Sequence, residues 1–258
     1  MKEDTPETKD IFPHTYILPK DKNIPLWRYM SFSKFVDLID TSSLYFSRLD
    51  KFIDKFEGHV NSYTEQVIES LFEKFEDAPN LRNQLRRLLS GLREGTFVSC
   101  WHMNYEQSAE MWESYASIEE GVAIKSSAKR LAVSMYNEKL GPMHIAPVKY
   151  GVVSEEEVDL SHALALLFYK RPQFEFEKEF RALLFYAKGA DEMLPTEGID
   201  DFEFTITVPE FGQKMLVNLD VLIDEIYVSP SAPLWFYELV QRLTNVLLKK
   251  TVIQSMVG

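Results

Sequence analysis

The amino-acid sequence predicts an α+β fold: a single mixed domain with a central, mostly antiparallel sheet, peripheral helices and an inserted helical hairpin. Three observations lead there. Segments patterned as strands and as helices mix without the steady βαβ rhythm of a parallel sheet. No internal repeat and no Gly/Ser-rich linker divides the 258 residues. A hydrophobic content of 45%, with 18 Phe and 12 Tyr, suffices for one substantial core or two modest ones.

Residues 1–24 are polar and interrupted by prolines, and read as an irregular arm before a domain at 25–258. LWRYMS (26–31) reads as a strand, SKFVDLID (33–40) as a short amphipathic helix starting at a Ser cap, and SLYFSRL (43–49) as a second strand. DKFIDKFEGH (50–59) is turn-rich. In 64–76 and 80–93 the apolar residues recur at helical spacing, which predicts the inserted hairpin over about 60–94. Its Arg82, Arg86 and Arg93 share a face that reads as solvated, with phosphate binding as the alternative. TFVSCW (96–101) is a buried strand, SAEMWESYA (108–116) a helix, GVAIKS (121–126) a strand and SAKRLAVSMY (127–136) a helix. PVKYGVV (147–153) is extended and 155–170 helical. The strict alternation of FEFEKEFRALLF predicts a strand over 174–185. Residues 202–209, 214–220 and 223–229 complete the strands, and 233–250 is the last helix, whose terminal lysines suit the negative end of its dipole.

A net charge of −12 argues against a broad nucleic-acid surface, which needs extended positive potential. One cysteine, Cys100, precludes an internal disulfide framework and fits a reducing compartment. No signal peptide is visible, and the longest apolar run, about 163–169, is far short of a spanning helix. These features predict a cytoplasmic protein with no membrane partner.

Sharp catalytic motifs are missing: there is no glycine-rich phosphate loop, nucleophile elbow or dinucleotide fingerprint. Cys100 and His102 stand two apart, but the remaining histidines supply no ligand pair for zinc. Asp54 and Glu57 are two carboxylates on a turn, readable as a site or as turn capping. Trp112 and Tyr115 share a helix face, either as core or as a stacking wall for a planar ligand. The remaining constellation is Glu175, Glu177, Glu179 and Arg181 along the alternating segment, with Lys170 and Arg171 just before it. Carboxylates leading into an apolar strand are cheap to hold only where they meet cations or a ligand.

Together these phrases resemble a bacterial family catalogued as domain of unknown function 2971. The resemblance runs over about residues 26–255 through LWRYMS (26–31), FIDKFEG (52–58), MWESYA (111–116) with Gly121, and YKRPQFEFEKEFR (169–181). Ile53, Lys55 and Phe174 depart from the family's usual Asn, Pro and Trp. A second resemblance is to ADP-ribosyltransferases, whose order is a basic residue on the first strand, a Ser-bearing strand and an E-x-E strand. Arg28, Ser99 and Glu177-Lys178-Glu179 follow that order. The resemblance implies NAD as substrate, Glu179 beside the ribose and Glu177 acting on an acceptor of unknown identity. It also implies Arg28 on the phosphates or ribose, Ser99 on the ribose, and Trp112 or Tyr115 against nicotinamide.

Two other readings stand beside it. Asp54, Glu57, Glu177 and Glu179 could hold a divalent cation in a hydrolase or nuclease, since Mg²⁺ takes oxygen ligands. The charged segment could instead serve a non-enzymatic ligand sensor, such as a module of a bacterial defence system.

Overall fold

The computed structural model describes residues 19–52, 91, 93–135, 143–151, 167–185 and 209–257. The predicted hairpin over about 60–94, the loop at 188–201 and the segment at 202–209 lie almost entirely outside these residues. Among the described residues, no helix is long and apolar enough to cross a membrane.

Strand β1 (Pro25–Ser31) shows how the layers arise. Leu26 and Met30 point into the larger core with Phe35, Val122, Ile124 and Phe236, while Trp27 and Tyr29 join a second cluster with Met111, Trp112 and Ala123. A strand apolar on both parities must be covered on both faces. Helix α1 (Phe32–Thr41) follows directly and buries Phe35, Leu38 and Ile39; it ends where Ser42 turns left-handed at φ 48° and its N–H donates to the Leu38 carbonyl. The side chain of Ser31, at the helix start, makes no capping bond.

The remaining described strands are β2 (Ser43–Arg48), β3 (Thr96–Met103), β4 (Gly121–Ser127), β5 (His144–Pro147), β6 (Lys149–Tyr150), β7 (Tyr169–Lys170), β8 (Glu179–Phe185), β9 (Gly212–Leu216), β10 (Glu225–Val228) and β11 (Val252–Gln254). Nine of them form one sheet, in the order β11-β10-β4-β1-β3-β2-β9, with β8 also on β3 and β5 on β8. All of its pairings are antiparallel except β10 with β11. The helices α2 (Ala109–Tyr115), α3 (Ala128–Ser134), α4 (Leu219–Leu222) and α5 (Leu234–Leu247) are peripheral. This is the α+β architecture that the patterning predicts. Ser108 and Ser127 cap α2 and α3 by accepting from Met111 N–H and Arg130 N–H.

The sheet forks at β3. One edge of β3 pairs with β8 along its length, from Thr96↔Phe185 to His102↔Glu179. The other edge is shared: β2 pairs at Phe97 and Val98, and β1 pairs at His102 and Met103. Between them, the backbone of Ser99 to Trp101 has no ladder partner on that side among the described residues, which leaves the place to side chains.

Several segments differ from their sequence patterns. The strand expected over 174–185 begins only at Glu179; Pro172–Glu177 is a 3₁₀-helix, closed by Phe174 N–H to the Arg171 carbonyl and Lys178 N–H to the Glu175 carbonyl. Pro172 pre-sets the φ of a first helical turn, and Lys178, left-handed at φ 40°, reverses the chain into β8. Three residues per turn breaks the two-residue parity, so Phe176 is 39% exposed while Glu177 is 5% exposed. The predicted row of carboxylates therefore does not form. Tyr169 and Lys170 are the short strand β7, parallel to β6, rather than a helix end. Strand β9 stops at Leu216, because Asn218 accepts from the N–H groups of Asp220 and Val221 and starts α4. The edge strand β11 carries no alternating run long enough to signal it; it exists through its parallel pairing with β10.

Candidate functional site

The register of β1, β3 and β8 sorts the candidate residues onto two faces. Directly opposed residues share a face. Trp27 opposes His102, and His102 opposes Glu179, so these three form one row across three strands. Cys100 opposes Arg181 on the same face. Ser99 opposes Ala182 on the other face, where Ala182, Trp101 and Phe180 belong to the larger core. Arg28 lies on that core face too, between Leu26 and Met30.

Arg28 fills the fork. Its guanidinium donates to Ser99 Oγ, to the Cys100 carbonyl at 3.4 Å and to the Tyr45 carbonyl at 3.2 Å, bridging β3 and β2 where no strand can. Trp101 Nε1–H also donates to Ser99 Oγ, at 3.2 Å, and Arg28 sits 5.6 Å from the Trp101 ring centroid. The basic and hydroxyl residues singled out by order along the chain thus bond to each other, on the face away from Glu179.

The opposite face gathers Lys170, Glu177, Glu179, Arg181 and Tyr115. Arg181, fully buried, grips Glu179 with Nε to Oε1 at 2.7 Å and Nη2 to Oε2 at 3.1 Å, and donates from Nη1 to the Leu167 carbonyl at 2.6 Å. Lys170 Nζ reaches Glu179 Oε2 at 3.0 Å and Glu177 Oε2 at 2.5 Å, joining the two carboxylates. Tyr115 Oη donates to Glu177 Oε1 at 2.6 Å, and Tyr150 Oη accepts from the Glu179 N–H at 2.7 Å. Phe174 is flanked by Lys170 and Arg171, 4.9 and 5.3 Å from its ring centroid.

Local structure explains the convergence. The 3₁₀-helix and the left-handed Lys178 let Glu177 fold back over the start of β8, so that both acids of E-x-E reach one lysine. Burial alone would raise the Glu179 pKa, but Arg181 and Lys170 outweigh it, with help from the Arg181 and Cys100 hydrogen bonds, and hold it at about 2. Tyr115 is pushed up, first by burial and then by Glu177, so it stays a phenol that donates to the carboxylate. It is also 47% exposed, which makes it the outer member of the group.

Trp112 lies deeper, 4% exposed, edge-on to Tyr29 at 5.0 Å, with Nε1–H donating to Gln107 at 3.2 Å. Only Tyr115 of the expected pair offers an open ring face. Asp54 and Glu57 lie outside the described residues. Glu175 is exposed on the 3₁₀-helix. Among the described residues, no group of three or more His, Cys, Asp and Glu side chains could hold a metal ion. Both oxygens of Glu177 and both of Glu179 already accept from Tyr115, Lys170 or Arg181, so a divalent cation would have to displace them.

Two members of this face escape sequence reasoning. Tyr150 is a lone aromatic in an extended segment and carries no signal. His102 is visible beside Cys100, but the pair lacks the further ligands a zinc site needs and so carries no signal; only the strand register places it opposite Glu179.

Searches against family models, curated proteins and solved structures each return no match.

Proposed function

We propose that this chain is an NAD-cleaving enzyme of the ADP-ribosyltransferase kind, with its ligand on the Glu177/Glu179 face of β3 and β8. The observation that carries the reading is the 2.6 Å hydrogen bond from Tyr115 to Glu177, beside Glu179. It joins two phrases 62 residues apart, M-W-E-S-Y-A and E-K-E, into one half-open group. Adjacency of β1, β3 and β8 supports it further, because these are the three strands that the resemblance implies.

In this reading Tyr115 presents its ring to nicotinamide, and the two carboxylates face the ribose. As the bond from the sugar C1′ to nicotinamide breaks, its electron pair leaves with nicotinamide and positive charge develops on the sugar ring. A fixed carboxylate stabilises that charge. The acceptor nucleophile then bonds to C1′ and gives its proton to Glu177. Lys170 holds both acids in place, and Arg181 keeps Glu179 ionised. Arg28 and Ser99 hold the fork of the sheet from behind and do not touch the ligand.

The test is to incubate purified protein with NAD and follow free nicotinamide by chromatography, with Glu177→Gln and Glu179→Gln as controls. Release by the wild type alone is the expected result. No release, together with no NAD-induced rise in melting temperature, would sink the reading. A second reading, ligand sensing without turnover, draws on the full occupation of all four carboxylate oxygens by protein donors. It predicts a rise in melting temperature with NAD and no nicotinamide.

A further inference from the structure

His102 is buried to 2% exposure in the row between Trp27 and Glu179. Its Nδ1 lies 2.6 Å from the backbone carbonyl of Glu177. A carbonyl only accepts, so Nδ1 carries the proton, and in the neutral ring Nε2 is a bare acceptor. Burial lowers the His102 pKa, against the pull of that carbonyl, which keeps the ring neutral. Yet Nε2 is itself buried and, among the described residues, has no hydrogen-bond partner. Buried polar atoms in folded proteins are nearly always paired, so an orphan calls for a partner from outside the chain.

Its surroundings indicate what that partner offers. The Glu177 carbonyl that fixes the tautomer belongs to the residue whose carboxylate meets Tyr115 and Lys170. His102 and Glu179 are directly opposed across β3 and β8, which brings their Cβ atoms to about 4.5–5.5 Å. On the other flank stands Tyr29, whose ring centroid is 6.1 Å away and whose Oη is engaged by the Ser108 N–H. A lone acceptor beside carboxylates selects for hydrogen-bond donors.

We infer that His102 Nε2 accepts a hydrogen bond from the sugar–nicotinamide end of the ligand, making His102 a binding residue of the Glu177/Glu179 site. The donor is a ribose hydroxyl or the carboxamide N–H. The ligand class follows: a nucleotide carrying a free donor next to the carbon that Glu179 serves. This inference rests on the NAD reading above.

The experiment is nitrogen NMR on the full chain with ring-¹⁵N histidine, the His102 signals being assigned by their loss in His102→Gln. In the free protein Nε2 is expected at the bare, unprotonated end of the range. Adding NAD moves it toward the hydrogen-bonded position. The same movement with ADP-ribose identifies a ribose hydroxyl, and movement with NAD alone identifies the carboxamide. By calorimetry, His102→Phe weakens NAD binding at least tenfold, while His102→Gln, whose side-chain oxygen can accept, retains part of the affinity. Should His102→Phe fail to fold, the nitrogen shift of the wild type decides. NAD binding that leaves Nε2 unmoved would overturn the role of His102 and leave the NAD reading standing. An Nε2 already hydrogen-bonded in the free protein and unchanged by NAD would assign it to a buried water and overturn the inference too. Failure of the wild type to bind NAD at all would remove both.

Discussion

The two faces of β3 employ arginine in opposite ways. On the core face, Arg28 donates to neutral acceptors, the Ser99 hydroxyl and the carbonyls of Cys100 and Tyr45, and closes the gap where β1 and β2 diverge. On the other face, Arg181 donates to an ionised carboxylate that is also held by Lys170. The first satisfies dipoles that the sheet leaves exposed. The second keeps charge inside the protein, where it costs desolvation and strengthens every nearby electrostatic interaction. Only the second face carries Tyr115, half open to solvent and bonded to Glu177, which shares Lys170 with that carboxylate. The same residue type can thus clip a backbone or maintain a reactive group, and its partners tell which.

The contrast can be broken most forcefully at Arg181. Arg181→Met leaves Glu179 buried beside a hydrophobic side chain and is expected to lower stability by about 3–5 kcal/mol in urea unfolding. Adding Glu179→Leu to that variant should return part of the loss, because the stranded carboxylate goes with its partner. A double variant no more stable than Arg181→Met would mean that packing, not charge, dominates this face.

Acid should separate the faces next. The Glu179 carboxyl is held at about 2, below its ordinary 4.5, so its contribution to stability is complete above about 4.5. That contribution is lost as pH falls from 4.5 towards 2, where the folded state must also take up the proton. Stability measured across this window should fall less steeply in Glu179→Gln than in the wild type. Arg28 bonds only to neutral groups, so Arg28→Met should leave the slope unchanged.

The smallest effect sharpens the comparison. Arg28→Met strands acceptors at the fork and should cost about 1–3 kcal/mol in urea unfolding. On the proposed reading it leaves NAD affinity within about threefold of the wild type by calorimetry, whereas a tenfold loss would return Arg28 to the ligand.

The site was partly legible along the chain. Glu177, Glu179, Arg181 and Lys170 stand within 12 residues, and a cluster of cations and acids before an apolar strand announces itself. Tyr115 was visible as part of an aromatic helix face. The shape of the acidic segment was not, although Pro172 and the positive φ of Lys178 explain it afterwards. Phe-Glu alternation satisfies a strand on pattern alone, and the 3₁₀-helix won because Pro172 favours a helical start and burying Glu177 completes its ion pair with Lys170 and its hydrogen bond from Tyr115.

What the sequence by itself determined is local: the strands around Trp27, Val98 and Ile124, the Ser108 and Ser127 helix starts, and an α+β mixture without parallel rhythm. These depend on side-chain periodicity and capping, which act over a few residues. Which residues share a face was decided by tertiary structure. Arg28, Ser99 and Glu179 follow one another in a suggestive order, yet register sets the first two behind the sheet and puts His102 in front beside Glu179. A shift of one residue reverses every side chain in a strand, and register is fixed by burial and pairing between segments some 75 residues apart, as for His102 and the Glu177 carbonyl.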